Sequence, residues 1–276
     1  GCGSDRPVAL VPSVTLSHFI ALETDAAGNP VAVADRSIAP EMMNVLEYDD
    51  GSSRTAASAW VVGVLPGGTS IPNLTGLERD PTAPTNYIRT VISNDGFLDQ
   101  VAEGDGFRIA RYSVRDPATG RQFLGYRIVG DQTSNIPARG TATYHGTAHA
   151  LMFGSTTGAR DVTGRVRLEA NFDPAAAGIS GRISDLEASG RNVGYELVLL
   201  PAAFSEAAFL GGGIAVEGEG GTPSGALVYS SDWQGMLYGN GATAAGGTFT
   251  LGAHDVPMAG GGTESVQGVG GFAGSR

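Results

Sequence analysis

From Gly140 onward, apolar and polar residues alternate with a period of two, the pattern of a half-buried β-strand. In "GTATYHGTAHALMF" the even positions Ala142, Tyr144, Gly146, Ala148, Ala150 and Met152 form one face, while Thr141, Thr143, His145, Thr147 and His149 form the other. "VTGRVRLEANF" divides in the same way, with Val162, Val166, Leu168, Ala170 and Phe172 set against Arg165, Arg167, Glu169 and Asn171. Further strands are predicted at 178–186, 194–200, 208–217, 225–230, 232–238, 247–252 and 266–274. Regular strand spacing of this kind predicts an antiparallel barrel or sandwich, and closure removes exposed sheet edges. A membrane barrel turns its apolar face to lipid and keeps a polar lumen. Here the small residues suit a tight interior and the other face is charged, so the expectation is a soluble, filled barrel of about eight strands.

The first half reads differently. Strands are predicted at 14–22, 58–65, 86–93, 107–114 and 123–130, the last two as a hairpin, with turn words such as "DAAGNP" and "DPATGR" between. "PEMMNVLEY" (40–48) and "GFLDQVAEG" (96–104) are predicted as short helices, with Pro40 near a first turn and Gly104 just past an end. The polar, Pro-bearing segment 130–140 marks a boundary. The chain therefore divides into a tether (1–13), an N-terminal α+β domain (14–134) and a β-barrel domain (135–276), a mainly β protein overall.

Composition supports this division. The chain has 276 residues, enough for a real core. Its 43 glycines and 7% aromatics favour short strands and tight turns over long helices. There is no lysine, and 28 acidic residues against 17 arginines give a net charge of −11, which disfavours nucleic acid and anionic lipid headgroups. A single cysteine, Cys2, excludes an intrachain disulfide and a Cys-based metal cage. Cys2 follows Gly1 and precedes Gly-Ser-Asp, as in the lipid-attachment site of a bacterial lipoprotein. No apolar run is long enough to cross a membrane as a helix, so the expected attachment is through lipid.

Three stretches then resemble a known family. "GMLYGNGATAAGGTFTL" (235–251) resembles the Gly-x-Phe-Tyr-Gly-Pro-x-Ala-x-Glu-x-Gly-Gly-x-Phe signature of the barrel lobes of transferrin-binding protein B and related surface lipoproteins. The matching residues are Gly235, Tyr238, Gly239, Ala242, Gly246, Gly247 and Phe249. "IPARGTATYHGTA" (136–148) is similar to the family's opening barrel segment, and "GVGGFAGSR" (268–276) to its terminal strand. Asn240 replaces the family's Pro and Ala244 its Glu, and the chain has the length of one handle and one barrel where transferrin-binding protein B has two such lobes. The resemblance implies an N-terminal handle-like domain before the barrel, lipidation at Cys2, and a surface-exposed position on the outer membrane. No transferrin-contact motif carries over onto numbered positions.

Catalytic motifs are thin. The sequence has no Gly-x-Ser-x-Gly elbow, no His-Glu-x-x-His zinc helix and no phosphate-cradling loop ending in Lys. His145 and His149, four apart on one strand, are roughly 13 Å apart, too far for one metal ion. The acidic segment 95–106 lacks the ligand register of a calcium loop. Trp233 reads as structural, while Trp60 either anchors a partner or fills the core. The candidate ligand residues are His254, as an axial haem ligand, and His18. The function that the family resemblance implies is non-catalytic capture of a ligand or protein partner, for acquisition of haem, an iron carrier or another cofactor together with an outer-membrane transporter. A structural or adhesive subunit of a cell-surface assembly is the alternative.

Overall fold

The computed structural model describes residues 11–24, 26–27, 30–37, 43–47, 78–80, 83–88, 97–104, 106–115, 122–130 and 132–276. Cys2, Trp60 and the strand expected at 58–65 lie outside them.

An antiparallel sheet holds most of the described N-terminal residues. It is formed by β1 (Val11–Thr24), β2 (Pro30–Ser37), β3 (Met43–Glu47), β6 (Phe97–Gly104), β7 (Phe107–Arg115) and β8 (Gln122–Gly130) in the order β2-β1-β8-β7-β6, with β3 also paired to β1. A separate two-stranded ribbon joins β4 (Glu78–Asp80) to β5 (Ala83–Ile88). The hairpin expected of 107–114 and 123–130 is present as β7 and β8. Strand β1 begins at Val11, inside the stretch read as a tether.

Both helix expectations need correction. Within 40–48 the described residues 43–47 form β3, and 97–104 forms β6, paired to β7. The apolar spacing in these segments fits either period, and runs this short gain little from helix formation alone. Asp105-Gly106, a hairpin turn signal, was the stronger word: Gly106 has φ +78, and Gly104 pairs directly with Phe107 across it. Among the described residues the helical content is one 3-10 turn, Glu219–Gly221.

The barrel is closed. Its strands are β9 (Thr141–Gly154), β10 (Gly158–Asn171), β11 (Gly178–Ala188), β13 (Tyr195–Ser205), β14 (Ala208–Gly212), β16 (Leu227–Tyr238), β17 (Ala244–Pro257) and β18 (Thr263–Ser275). Each pairs antiparallel with the next, β11 joins β13, and β18 returns to β9. The short β12 (Arg191–Asn192) extends β11, while β15 (Ile214–Gly218) continues the ladder of β14 on β13 beyond the Gly211–Gly213 interruption. The segments 225–230 and 232–238 are one strand, β16, with an irregularity between Val228 and Ser230.

The alternation read in the sequence sets the inside and outside. Ala142, Tyr144, Ala148, Ala150 and Met152 join Val162, Val166, Leu168, Ala170 and Phe172 in the interior cluster, whereas Arg165, Arg167 and Glu169 are exposed. Phe204, Phe209, Trp233, Phe249 and Phe272 fill the interior in a chain of ring contacts with centroids 5.5–6.4 Å apart. Gly235 lies where a methyl group would overlap both the Gly246 carbonyl oxygen and the Phe209 ring. Gly235→Ala is therefore expected to lower the urea unfolding midpoint by an amount equivalent to about 1–3 kcal/mol, because a backbone oxygen on one side cannot move away as a side chain does.

One stretch of the outer wall is not wet. Leu151, Phe153, Met236, Tyr238, Ala244, Val269 and Ala273 point out of the barrel and pack in one buried cluster with Leu16, Ile20, Leu22, Phe107, Ile109, Leu124, Tyr126 and Ile128 of the N-terminal sheet. That sheet therefore lies over β9, β16, β17 and β18. It explains why those strands carry runs buried on both faces, such as Ala244–Ala253.

Candidate functional site

The junction of sheet and barrel brings together residues far apart in the chain. His18 on β1 is fully buried. Its Nε2 lies 2.7 Å from Asp232 Oδ2 on β16, and its Nδ1 2.7 Å from Thr248 Oγ1 on β17. An ionised carboxylate only accepts, so Nε2 carries a proton, and in the neutral ring the Thr248 hydroxyl donates to Nδ1. Hydroxyl, imidazole and carboxylate thus stand in the same order as in a hydrolase triad. Access is what separates them from one: His18 and Thr248 are both 0% exposed. Neither residue lines the grooves bounded by Ala142, Arg182 or His145. The network ties β1 to the barrel wall, and His18 has no ring nitrogen left for a ligand. Beside it, the Gln234 amide and the Thr250 hydroxyl are buried without a partner among the described residues, so the junction has a polar seam within its apolar contact. At its margin Arg111 on β7 donates to Asp161 on β10 at 2.7 Å.

Tyr238, the aromatic of the Leu-Tyr-Gly step, belongs to this junction. It is fully buried, with its ring 6.0 Å from that of Phe107. Burial raises its phenol above the ordinary range, so it stays neutral. The following turn is also shaped by contacts: Gly239 has φ +75 and Ala242 φ +58. Ala242 donates its N–H to Thr133 Oγ1 and accepts from Tyr144 Oη through its carbonyl. The signature residues therefore join barrel, turn and N-terminal sheet, and none of them faces solvent as a ligand group.

His254 is in a different setting. It lies on β17, exposed, with its ring stacked on Tyr229 of β16 at a centroid distance of 4.6 Å. Its Nδ1 is 2.8 Å from Ser265 Oγ, and Tyr229 Oη accepts from Gln267 Nε2 at 3.0 Å. Leu227, the register partner of His254, is 63% exposed and Tyr229 48%. Five residues of β16–β18 thus form a held, partly apolar platform. The sequence singled out His254 but not its partners, because Tyr229 and Leu227 become its neighbours only through strand pairing.

His145 and His149 stand on the outward face of β9, and burial lowers the His149 pKa. His145 lines a groove of about 230 Å³ with Glu103 and Phe107 of the N-terminal sheet. A larger groove of about 670 Å³ crosses the ends of β9, β10, β11 and β13, and adjoins another of about 410 Å³ near Arg167, Arg182 and Leu200. Its charges are internally matched: Arg182 reaches Glu196 at 2.9 Å and Glu217 at 2.6 Å, which raises its pKa, and Arg167 reaches Glu169 at 2.8 Å. Among the described residues no three His, Cys, Asp or Glu side chains gather as a metal site, and no helix is long and apolar enough to cross a membrane.

No protein-family model and no curated protein matches the chain. Solved structures do. A mutant form of the transferrin-binding protein B vaccine antigen of Haemophilus parasuis is 13% identical with a TM-score of 0.40, the match covering 94% of this chain and 44% of that one. Transferrin-binding protein B of serogroup B Neisseria meningitidis is 15% identical with a TM-score of 0.44, over 88% of this chain and 46% of that one. A crystal structure of a surface lipoprotein is 12% identical with a TM-score of 0.38, over 95% and 98%. This chain thus spans less than half the length of these two transferrin-binding protein B chains. These are the kind of protein that the barrel signature resembles.

Proposed function

We propose that the chain is a non-catalytic surface lipoprotein, attached to the outer membrane through lipid on Cys2, that captures a ligand or protein partner on the free wall of its barrel. One observation carries this reading. The barrel interior is filled and part of its outer wall is sealed by the N-terminal sheet, so binding falls to the remaining wall, where Leu227, Tyr229 and His254 form an exposed platform. Exposed aromatic and aliphatic side chains held by hydrogen bonds are the usual anchors of an interface. The net charge of −11 favours a partner with a basic rim.

The cargo class is haem, an iron carrier or another scarce cofactor, delivered to an outer-membrane transporter. Haem fits the platform in one respect: with Nδ1 held by Ser265, His254 would offer Nε2 to the iron. The test is absorbance and mass spectrometry of protein purified from native membranes, alongside a Leu227→Ser, Tyr229→Ala variant. The double substitution is expected to weaken capture at least about tenfold, since loss of one central anchor alone reaches that size. Undiminished capture by the variant sinks the platform. Stoichiometric co-purifying subunits with no cargo would favour the accessory-subunit reading instead.

A further inference from the structure

The two adjoining grooves on the wall of β10, β11 and β13 form one trough, because Glu169, Ser180 and Pro201 line both. The local sequence explains its shape. Along β11 the outward positions are Gly178, Ser180, Arg182 and Ser184, and three of these four carry little or no side chain. Their neighbours stand taller. On one side β10 presents Glu169 and Arg167, the register partners of Ser180 and Arg182. On the other side β13 presents Leu200 and Pro201, which together oppose Ser180 between the pairs Ile179–Ala202 and Gly181–Leu199.

That irregularity is a bulge, and it turns two successive apolar residues outward, Pro201 exposed and Leu200 41% exposed. Proline suits the position because it has no N–H to leave unpaired. Leu200 is held from both sides: its N–H donates to the Gly213 carbonyl and its carbonyl accepts from Trp233 Nε1, each at 2.9 Å. An exposed leucine on a backbone pinned in this way is a ready anchor for a partner.

The trough thus has one charged wall and one apolar wall, about 10 Å apart, the span of two interstrand spacings. From Gly178 to Ser184 it follows β11 for about 20 Å. An extended peptide laid along it repeats its side chains with the same two-residue period and turns alternate residues to the two walls. The Ser180 and Ser184 hydroxyls on the floor offer hydrogen bonds to its main chain. Charge sets the rest. Arg182 pairs with Glu196 and Glu217, and Arg167 with Glu169, so three carboxylates stand against two guanidiniums. The Arg167–Glu169 pair is exposed, and such a pair exchanges partners at small cost. In a chain of net charge −11 the complementary incoming side chain is basic.

We propose that this trough binds an extended peptide segment of a protein partner, about six residues long, with apolar side chains on Leu200 and Pro201 and a basic side chain at Glu169. Neither the trough nor the platform at Tyr229 depends on the other.

The test is titration calorimetry of the whole protein with three synthetic peptides, Val-Lys-Val-Lys-Val-Lys, Ser-Lys-Ser-Lys-Ser-Lys and Val-Glu-Val-Glu-Val-Glu. The first is expected to bind saturably, one peptide per chain. The other two are expected to bind at least about tenfold more weakly, the second for want of apolar side chains and the third for its charge. Ser180→Arg sets a long side chain on the floor, and Leu200→Ser removes the anchor; each is expected to weaken the first peptide at least about tenfold. Glu169→Gln is expected to weaken it by about two- to fivefold, the size of an exposed ion pair. All three substitutions lie on the outer face, and circular dichroism checks that each variant folds. No saturable binding of the first peptide, equal binding of the valine and serine peptides, or undiminished binding in both Ser180→Arg and Leu200→Ser overturns the proposal. Binding of maltohexaose with all three peptides inert also overturns it, and gives the trough to a glycan.

Discussion

Trp233→Ala is expected to destabilise the protein by about 3–5 kcal/mol, the largest effect of any single substitution considered, seen as an earlier chemical-unfolding midpoint by far-UV circular dichroism. Trp233 is fully buried in the barrel, its ring 5.5 Å from Phe209 and 6.0 Å from Phe272. Its Nε1 donates to the Leu200 carbonyl at 2.9 Å, beside Pro201, where the β11–β13 ladder is irregular. Truncation leaves a cavity whose walls are strands locked into a closed sheet and unable to collapse into it. It also strips the Leu200 carbonyl of a donor. Trp233→Phe keeps most of the packing and loses only that hydrogen bond, so its expected cost is about 1–2 kcal/mol. Equal effects of the two substitutions would show that the hydrogen bond, and not the packing, holds this part of the barrel.

Tyr238→Ala is the second large effect, and it acts between units. The ring is buried against Phe107 and over Gly130, where a methyl group would overlap it. Removal is expected to cost about 3–4 kcal/mol. Hydrogen exchange should place the loss mainly in β1, β7 and β8, with the barrel interior retaining protection. Tyr238→Phe has the opposite sign. The Tyr238 hydroxyl is buried with no partner among the described residues, so its deletion is expected to be neutral or to stabilise by up to about 1 kcal/mol. Uniform loss of protection in Tyr238→Ala would mean that the tyrosine supports the barrel and not the junction.

How much of this was legible in the sequence varies with the range of the interaction. The barrel's inner and outer faces followed from alternation, since a strand turns successive side chains to opposite faces whatever it pairs with. Arg165, Arg167 and Glu169 needed no tertiary information to be placed outside. The runs at 150–153 and 268–274 carried a further signal, apolar or glycine residues on both faces, which marks a covered wall, but not the identity of its cover. The short segments 43–47 and 97–104 misled because a few apolar residues fit both periods. Of the candidate ligand residues, His18 falls inside a strand predicted from the sequence and His254 just past one, in what reads as a loop, although the structure extends that strand to Pro257. Pairing across more than 200 positions buries one against Asp232 and Thr248, while stacking on Tyr229 keeps the other at the surface.

The sequence by itself determined the mainly β character, the run of strands along the barrel half and the faces of β9 and β10, because these depend on local periodicity and turn chemistry. Only the tertiary structure decided which wall of the barrel is covered, that His18 is locked away, that Tyr229 and Leu227 flank His254, and that Arg127 is buried with no acid in reach among the described residues. Those facts depend on where one sheet rests on another. Such docking is set by the summed fit of many weak apolar contacts across two surfaces, and no short stretch of sequence contains both.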